Sequence, residues 1–124
     1  MISTNWDDII NDVKKGIPLI IVDNEDRENE GDFFVNASVA NDFAIQLMLN
    51  EGRGLICTPL SLEIANKLDL KYMIDDNTAN LQTAFTVSVD HISNTTGISL
   101  KDRLDTIREL ANVNAKSSDF FDRV

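Results

Sequence analysis

The stretch Leu19–Phe34, LIIVDNEDRENEGDFF, sets a short β-rich run before ten residues that carry six carboxylates and one arginine, then returns to paired phenylalanines. Leu19 to Val22 predicts a strand, Phe33 to Val35 resumes one, and the acidic segment Asp23 to Asp32 reads as the loop between them. Helical patterns flank this unit on both sides. Upstream, Trp6, Ile9, Ile10 and Val13 recur at helical spacing after polar Thr4 and Asn5, and Gly16 followed by Pro18 is a stop signal. Strands and helices therefore interleave, which predicts an α+β fold: a mixed β-sheet with helices packed on it, in a single domain spanning residues 1–124.

Downstream, Asn41 or Asp42 can cap a helix with Phe43, Ala44, Leu47 and Met48 on one side, ending near Gly52. Gly52-Arg53-Gly54 is then a turn, and Leu55 to Thr58 a buried strand in which Cys57 is a small apolar residue. Ser61 caps a short helix through Ile64, Ala65 and Leu68, and Lys71 to Gln82 is a polar, irregular loop. Alternation predicts a strand over Ala84 to Val89, followed by a turn at Thr95-Thr96-Gly97. Ser99 with Asp102 three residues on has the form of a capping box with Asp in the place of Glu. Leu104, Ile107, Arg108 and Ala111 continue that helix to about Asn112, and the tail from Asn114 to Val124 has no clear end signal.

Composition narrows the function classes. The 124 residues carry 21 Asp and Glu against 11 Lys and Arg, a net charge of −10 that argues against nonspecific binding to nucleic acid or an anionic membrane. One Cys and one His exclude an intramolecular disulfide and a zinc site built from Cys and His ligands. No apolar run is long enough to span a bilayer and the N-terminus has no basic leader, so the expected compartment is the cytoplasm. The chemistry then has to come from carboxylates, hydroxyls or the backbone.

Two readings of the acidic loop are open. It is either a solvated hairpin loop or the ligand set of a hard divalent cation, which takes oxygen ligands and neutralises the crowded charge. A calcium loop of the EF-hand kind starting at Asp26 puts Glu28, Glu30 and Gly31 at its third, fifth and sixth positions, but Ala37 replaces the bidentate Glu at the twelfth. Mg²⁺ or Mn²⁺, held by one or two carboxylates and completed by water or substrate, is the better metal reading. Arg27 is either an internal ion-pair partner of these acids or a fork presented to an anionic ligand. The Thr95-Thr96-Gly97 turn offers hydroxyls and amides to an anion, and His91 reads as a surface residue.

Taken in order, DNEDRENEGDFF (23–34), GRGLICTPL (52–60), TAFTVSVDH (83–91) and TTGISLKDRLDTIREL (95–110) resemble the 3,4-dihydroxy-2-butanone 4-phosphate synthase family over nearly the whole chain. One small departure is Leu100, where the family often has Ala. The resemblance implies a lyase of riboflavin biosynthesis that converts ribulose 5-phosphate into 3,4-dihydroxy-2-butanone 4-phosphate and formate. It further implies Mg²⁺ or Mn²⁺ as cofactor and a homodimer with active sites near the subunit interface. By motif match, Glu28 is the metal ligand, Arg27 and Glu28 contact the sugar phosphate, and Asp32 binds the substrate. Glu30 is a further candidate metal ligand, and Cys57 and Thr96 are candidate catalytic residues.

The family pattern continues through R-P-G-H, R-x-G-H-T-E-A and a C-E pair, which supply a catalytic His, a phosphate grip, a second metal ligand and a catalytic Glu. None of these lies within the 124 residues. The expectation is therefore the N-terminal part of a synthase domain, truncated at its C-terminus and inactive alone. An inactive metal-binding or sugar-phosphate-binding fragment, or a regulatory homologue, is the alternative. Whether a GTP cyclohydrolase II domain follows, as in some relatives, is not legible in this stretch.

Overall fold

The computed structural model describes residues 5–123, so Thr4 and the chain end at Val124 lie outside the described residues. Contacts divide the chain into two compact units, one up to Cys57 and one from Thr58, although no shift in composition marks that division.

In the first unit, α1 (Trp6–Lys15) opens with Asn5, whose side chain accepts from the Asp7 N–H, and closes at Gly16 with φ 69°. Gly16 is required there twice over. Its φ is left-handed, and a Cβ would sit 2.3 Å from the Val39 carbonyl oxygen. β1 (Leu19–Val22) pairs antiparallel with β2 (Gly31–Phe34), with Leu19 opposite Phe34 and Val22 opposite Gly31. The strand expected at Phe33 thus begins two residues earlier, inside the acidic stretch.

A short 3-10 turn at Ala37–Val39 leads to α2 (Asp42–Leu47), which runs on into a π turn at Met48–Gly52. Asn41 joins the helices: its Oδ1 accepts from the Ala44 N–H at 2.9 Å, and its Nδ2 donates to the Gly16 carbonyl at 3.1 Å. Ala40, Ala44 and Ile45, all 0% exposed, are the centre of this unit.

Leu55 to Thr58 is a correction. These residues form no strand, Leu55 is 85% exposed, and Cys57 is exposed rather than buried. Gly54 and Pro59 bracket the run; proline lacks an N–H for a ladder, and no described strand pairs with the segment.

In the second unit, α3 (Leu62–Lys67) starts at Ser61, whose hydroxyl accepts from the Ile64 N–H. The expected strand over Ala84 to Val89 moves downstream to β3 (Ser88–His91), because its partner is β4 (Phe120–Arg123), a strand with no signal in the tail. Ahead of it, Val87 N–H bonds the Lys71 carbonyl and Met73 N–H bonds the Phe85 carbonyl, so the loop and the run fold onto each other around a Tyr72–Thr86 bridge. α4 (Leu100–Leu110) packs against β3 and buries Leu104, Ile107 and Leu110. Leu68, Leu110 and Ala115 form a core joined by Leu60, Leu70, Val89 and Phe120.

The α+β class stands, with one change in the sheet. In place of one mixed sheet, the described strands form two separate antiparallel ladders of two strands each, apart from the isolated bridge. β1 and β2 are joined directly by the short acidic loop, a connection that returns the chain antiparallel.

Candidate functional site

Asp23, at the end of β1, organises the acidic loop. Its own N–H bonds the Glu30 carbonyl at 3.0 Å and closes the loop neck. Its Oδ1 accepts from the Asn24 N–H at 2.7 Å, and its Oδ2 accepts from the Glu28 N–H at 3.0 Å and from Arg27 Nε at 2.7 Å. Asn24 adds the inner turn, its carbonyl accepting from Arg27 and Asn29 and its Oδ1 from Asp26. Asn29 has a φ of 52°, the left-handed conformation that asparagine tolerates better than most residues. The Asn24 N–H, working against partial burial and joined by the Glu28 N–H and the Arg27 charge, holds the Asp23 carboxyl below the usual carboxylate range.

Of the residues predicted for the site, the fold brings Arg27 and Glu28 together: the guanidinium reaches the Glu28 Oε2 at 3.2 Å while staying on Asp23. Arg27 is the exposed member, its side chain 62% accessible against 29% for Glu28. Asp32 lies on β2 opposite Ile21, and neither Asp32 nor Glu30 ion-pairs with Arg27 among the described residues. Cys57 is exposed in the irregular segment that closes the same unit.

The donors in this loop are hard carboxylate oxygens. Among the described residues, no three His, Cys, Asp or Glu side chains converge as a metal cluster. That pattern does not fit a cage built wholly from this chain. It fits an ion of the Mg²⁺ type, which takes one or two protein carboxylates and completes its shell with water and substrate.

Thr96 belongs to the second unit, exposed at the turn before α4. Here the capping box is only half formed. Ser99 Oγ accepts from the Asp102 N–H at 3.0 Å, but the Asp102 carboxylate accepts from the Thr95 hydroxyl and the Gly97 N–H, each at 3.0 Å. Asp102 is 5% exposed. His91 is half-buried, with Nδ1 2.7 Å from Ser93 Oγ and its ring edge-on to Phe120 at 6.4 Å. Sequence reasoning missed Asp23 and Asp102 as organisers. For Asp23 the available signal was an acid followed by Asn and a run of loop residues, a pattern that favours Asx turns.

Asp102 also makes a pH prediction. Burial opposes its ionisation, yet the Thr95 hydroxyl, the Gly97 and Thr95 N–H groups and the Ser99 hydroxyl together hold its carboxyl below the ordinary carboxylate value of 3.8. A depressed folded pKa contributes stability that is present above the unfolded value and lost as the pH falls through the folded one. Urea midpoints measured from pH 6 down to pH 3 are expected to hold and then fall below about pH 4, with a shallower acid limb in Asp102→Asn. An unchanged limb in that variant would remove Asp102 as its source.

No helix among the described residues is long and apolar enough to cross a membrane. A family model described as 3,4-dihydroxy-2-butanone 4-phosphate synthase matches residues 7–122. The chain is 53% identical over 108 residues to the riboflavin biosynthesis protein RibBA of Bacillus velezensis, a match covering 87% of this chain and 27% of that protein. Among solved structures, a 3,4-dihydroxy-2-butanone 4-phosphate synthase in complex with two magnesium ions superposes with a TM-score of 0.89 at 38% identity, over 94% of this chain and 55% of that one. RibBX of A. baumannii, a two-domain synthase of the same kind, gives 0.86 at 35% identity, over 94% of this chain and 34% of its own. The chain thus spans little more than a quarter of the length of the curated relatives it matches.

Proposed function

The chain belongs to the 3,4-dihydroxy-2-butanone 4-phosphate synthase family, and on that premise we propose that it carries the metal-binding and substrate-binding part of a site that converts ribulose 5-phosphate into 3,4-dihydroxy-2-butanone 4-phosphate and formate. The observation that carries this reading is the Asp23-centred loop, which holds Arg27 and Glu28 side by side at the end of a strand pair.

In this reading Glu28 holds a divalent cation, Mg²⁺ or Mn²⁺, with Glu30 as the second carboxylate within reach of the same loop. When bound, such an ion supplies Lewis acidity for negative charge that develops on the sugar oxygens. Arg27 turns its exposed fork to the sugar phosphate and keeps its Nε on Asp23. Asp32 accepts from a substrate hydroxyl, and Cys57 and Thr96 complete the candidate set. The assembly is a cytoplasmic homodimer.

Taken by themselves, these residues bind rather than turn over. Proton transfer near neutral pH calls for a group such as histidine, and the one His of the chain is engaged by Ser93 and Phe120. The purified chain is therefore expected to bind Mn²⁺ and ribulose 5-phosphate without releasing formate. Chelator-sensitive formate release would overturn the binding-only part.

Site specificity is tested by titrating Mn²⁺ into three variants. Glu28→Gln is expected to weaken binding about ten-fold or more, because inner-sphere coordination acts locally and is poorly screened by salt. Glu25→Gln should lose less than about three-fold, and Glu30→Gln an amount between the two. Equal, salt-sensitive losses in all three would leave a diffuse acidic loop and no metal ligand.

A further inference from the structure

Of the six carboxylates between Asp23 and Asp32, the Arg27 guanidinium engages two among the described residues, Asp23 and Glu28. The two contacts are unequal. Nε donates to Asp23 Oδ2 at 2.7 Å, whereas Nη2 donates to Glu28 Oε2 at 3.2 Å. Asp23 Oδ2 also accepts from the Glu28 N–H at 3.0 Å, so a single oxygen fixes both the arginine fork and the backbone of the glutamate. Asp23 is therefore a pivot that Arg27 keeps whichever way its Nη2 turns. The Glu28 carboxylate, by contrast, has Arg27 as its one partner among the described residues. Arg27 thus places its positive charge on the same carboxylate that the reading above assigns to a divalent cation.

We infer that Arg27 is a latch: its Nη2 occupies the Glu28 carboxylate in the absence of a divalent cation and gives it up when one binds, and the freed fork, still held at Nε by Asp23, is then available to an anionic ligand. The inference rests on the reading of Glu28 as the cation ligand and adds an order of events to it, cation before anion. An ion of the Mg²⁺ type demands close, near-octahedral oxygen contacts, and a guanidinium left on the same carboxylate would face it as a like charge. One of the two has to leave. The Arg27–Glu28 contact is the one to break, because it is the longer of the pair and lies at the surface, where ion pairs contribute little. Asp23 stays in place: its Oδ2 already serves two donors and its Oδ1 a third, the Asn24 N–H. If Arg27 acted only through the charge it adds to an acidic loop, its removal would favour the cation equally with or without the Glu28 carboxylate.

A double-mutant cycle read with Mn²⁺ alone separates the two roles. Binding to the full chain is followed by the relaxation of water protons, which detects weak as well as tight Mn²⁺ sites. Arg27→Gln is expected to bind Mn²⁺ about three- to five-fold more tightly than the unaltered chain, the gain available from removing one exposed ion pair. In the Glu28→Gln background the same replacement should change affinity by less than about 1.5-fold, because the carboxylate that Arg27 occupied is gone. A gain of equal size in both backgrounds, or no gain on Arg27→Gln alone, would overturn the latch while leaving Glu28 as the ligand. A Glu28→Gln affinity equal to that of the unaltered chain would overturn the reading of Glu28 and the latch with it. Should Arg27→Gln fail to fold, the unaltered chain decides the matter through nitrogen-15 spectra of the arginine side chain recorded with and without saturating Mg²⁺. Rotation about the Nε–Cζ bond of Arg27 is expected to accelerate as Nη2 leaves Glu28, while the Nε–H stays protected on Asp23. Rotation unchanged at saturating Mg²⁺ would overturn the latch, and loss of the Nε–H protection would overturn the pivot on which it turns.

Discussion

Replacing Gly97 with alanine is expected to destabilise the unit from Thr58 onward by about 3 kcal/mol or more, the sum of a left-handed backbone penalty and a steric clash. An L-residue at φ 72° costs roughly 1–2 kcal/mol by itself. The added Cβ would then lie 2.2 Å from Asp90 Oδ2, and Asp90 is a buried side chain on β3 that cannot swing into solvent without disturbing the ladder to β4. The turn has to open, and with it go the Thr95 and Gly97 bonds to Asp102. Gly54→Ala is the matched control, because the nearest atom to its Cβ would be the Gly52 carbonyl oxygen at 3.9 Å and its φ is not left-handed. Urea denaturation should therefore separate the two variants by about 2 kcal/mol or more. Equal midpoints would mean that the turn is free to rearrange.

Ile45→Ala is expected to have an effect of the same size in the other unit, about 2–4 kcal/mol. Ile45 is the largest side chain that is fully buried among the described residues, and the other buried apolar residues of its unit are the small Ala40 and Ala44. Truncating a side chain buried this completely removes apolar contact and leaves a cavity, so transfer and cavity terms both count. A compact unit of this size has little reserve, since whole domains are stable by only about 5–15 kcal/mol. The β1–β2 hairpin that carries Arg27 and Glu28 belongs to the same unit, so Mn²⁺ affinity should fall in parallel with stability in Ile45→Ala. In Glu28→Gln, by contrast, affinity should fall with the urea midpoint unchanged. A loss below about 1 kcal/mol in Ile45→Ala would show that this core repacks freely.

The two large effects fall on residues of very different legibility. Gly97 and the Thr95-Thr96-Gly97 turn are visible from sequence as turn chemistry, but the clash that makes glycine obligatory comes from Asp90, which another element supplies. The candidate site divides in the same way. That Arg27 and Glu28 are neighbours in an acidic loop is a matter of reading; that Asp23 is the residue holding them in place depends on three hydrogen bonds formed only once the loop closes on the Glu30 carbonyl.

The sequence by itself determined the features set by local chemistry. Asn41, Ser61 and Ser99 each cap a helix where expected, Asn5 caps α1 just ahead of its helical pattern, Gly16 ends α1, and Leu19–Val22 is a strand that delivers the acidic loop. These depend on one residue's backbone preference or on a hydrogen bond spanning a few positions, so a linear pattern contains all the information. Tertiary structure alone decided the rest. β4 has no strand pattern and exists because β3 lies beside it, the run from Ala84 gave way to Ser88–His91 for the same reason, and Leu55 to Thr58, apolar as it is, found no partner and stayed irregular. A strand needs a second strand to satisfy its backbone, and a buried carboxylate such as Asp102 needs donors from several turns of chain. Which residues meet those needs is set by packing between distant segments, and sequence spacing does not record it.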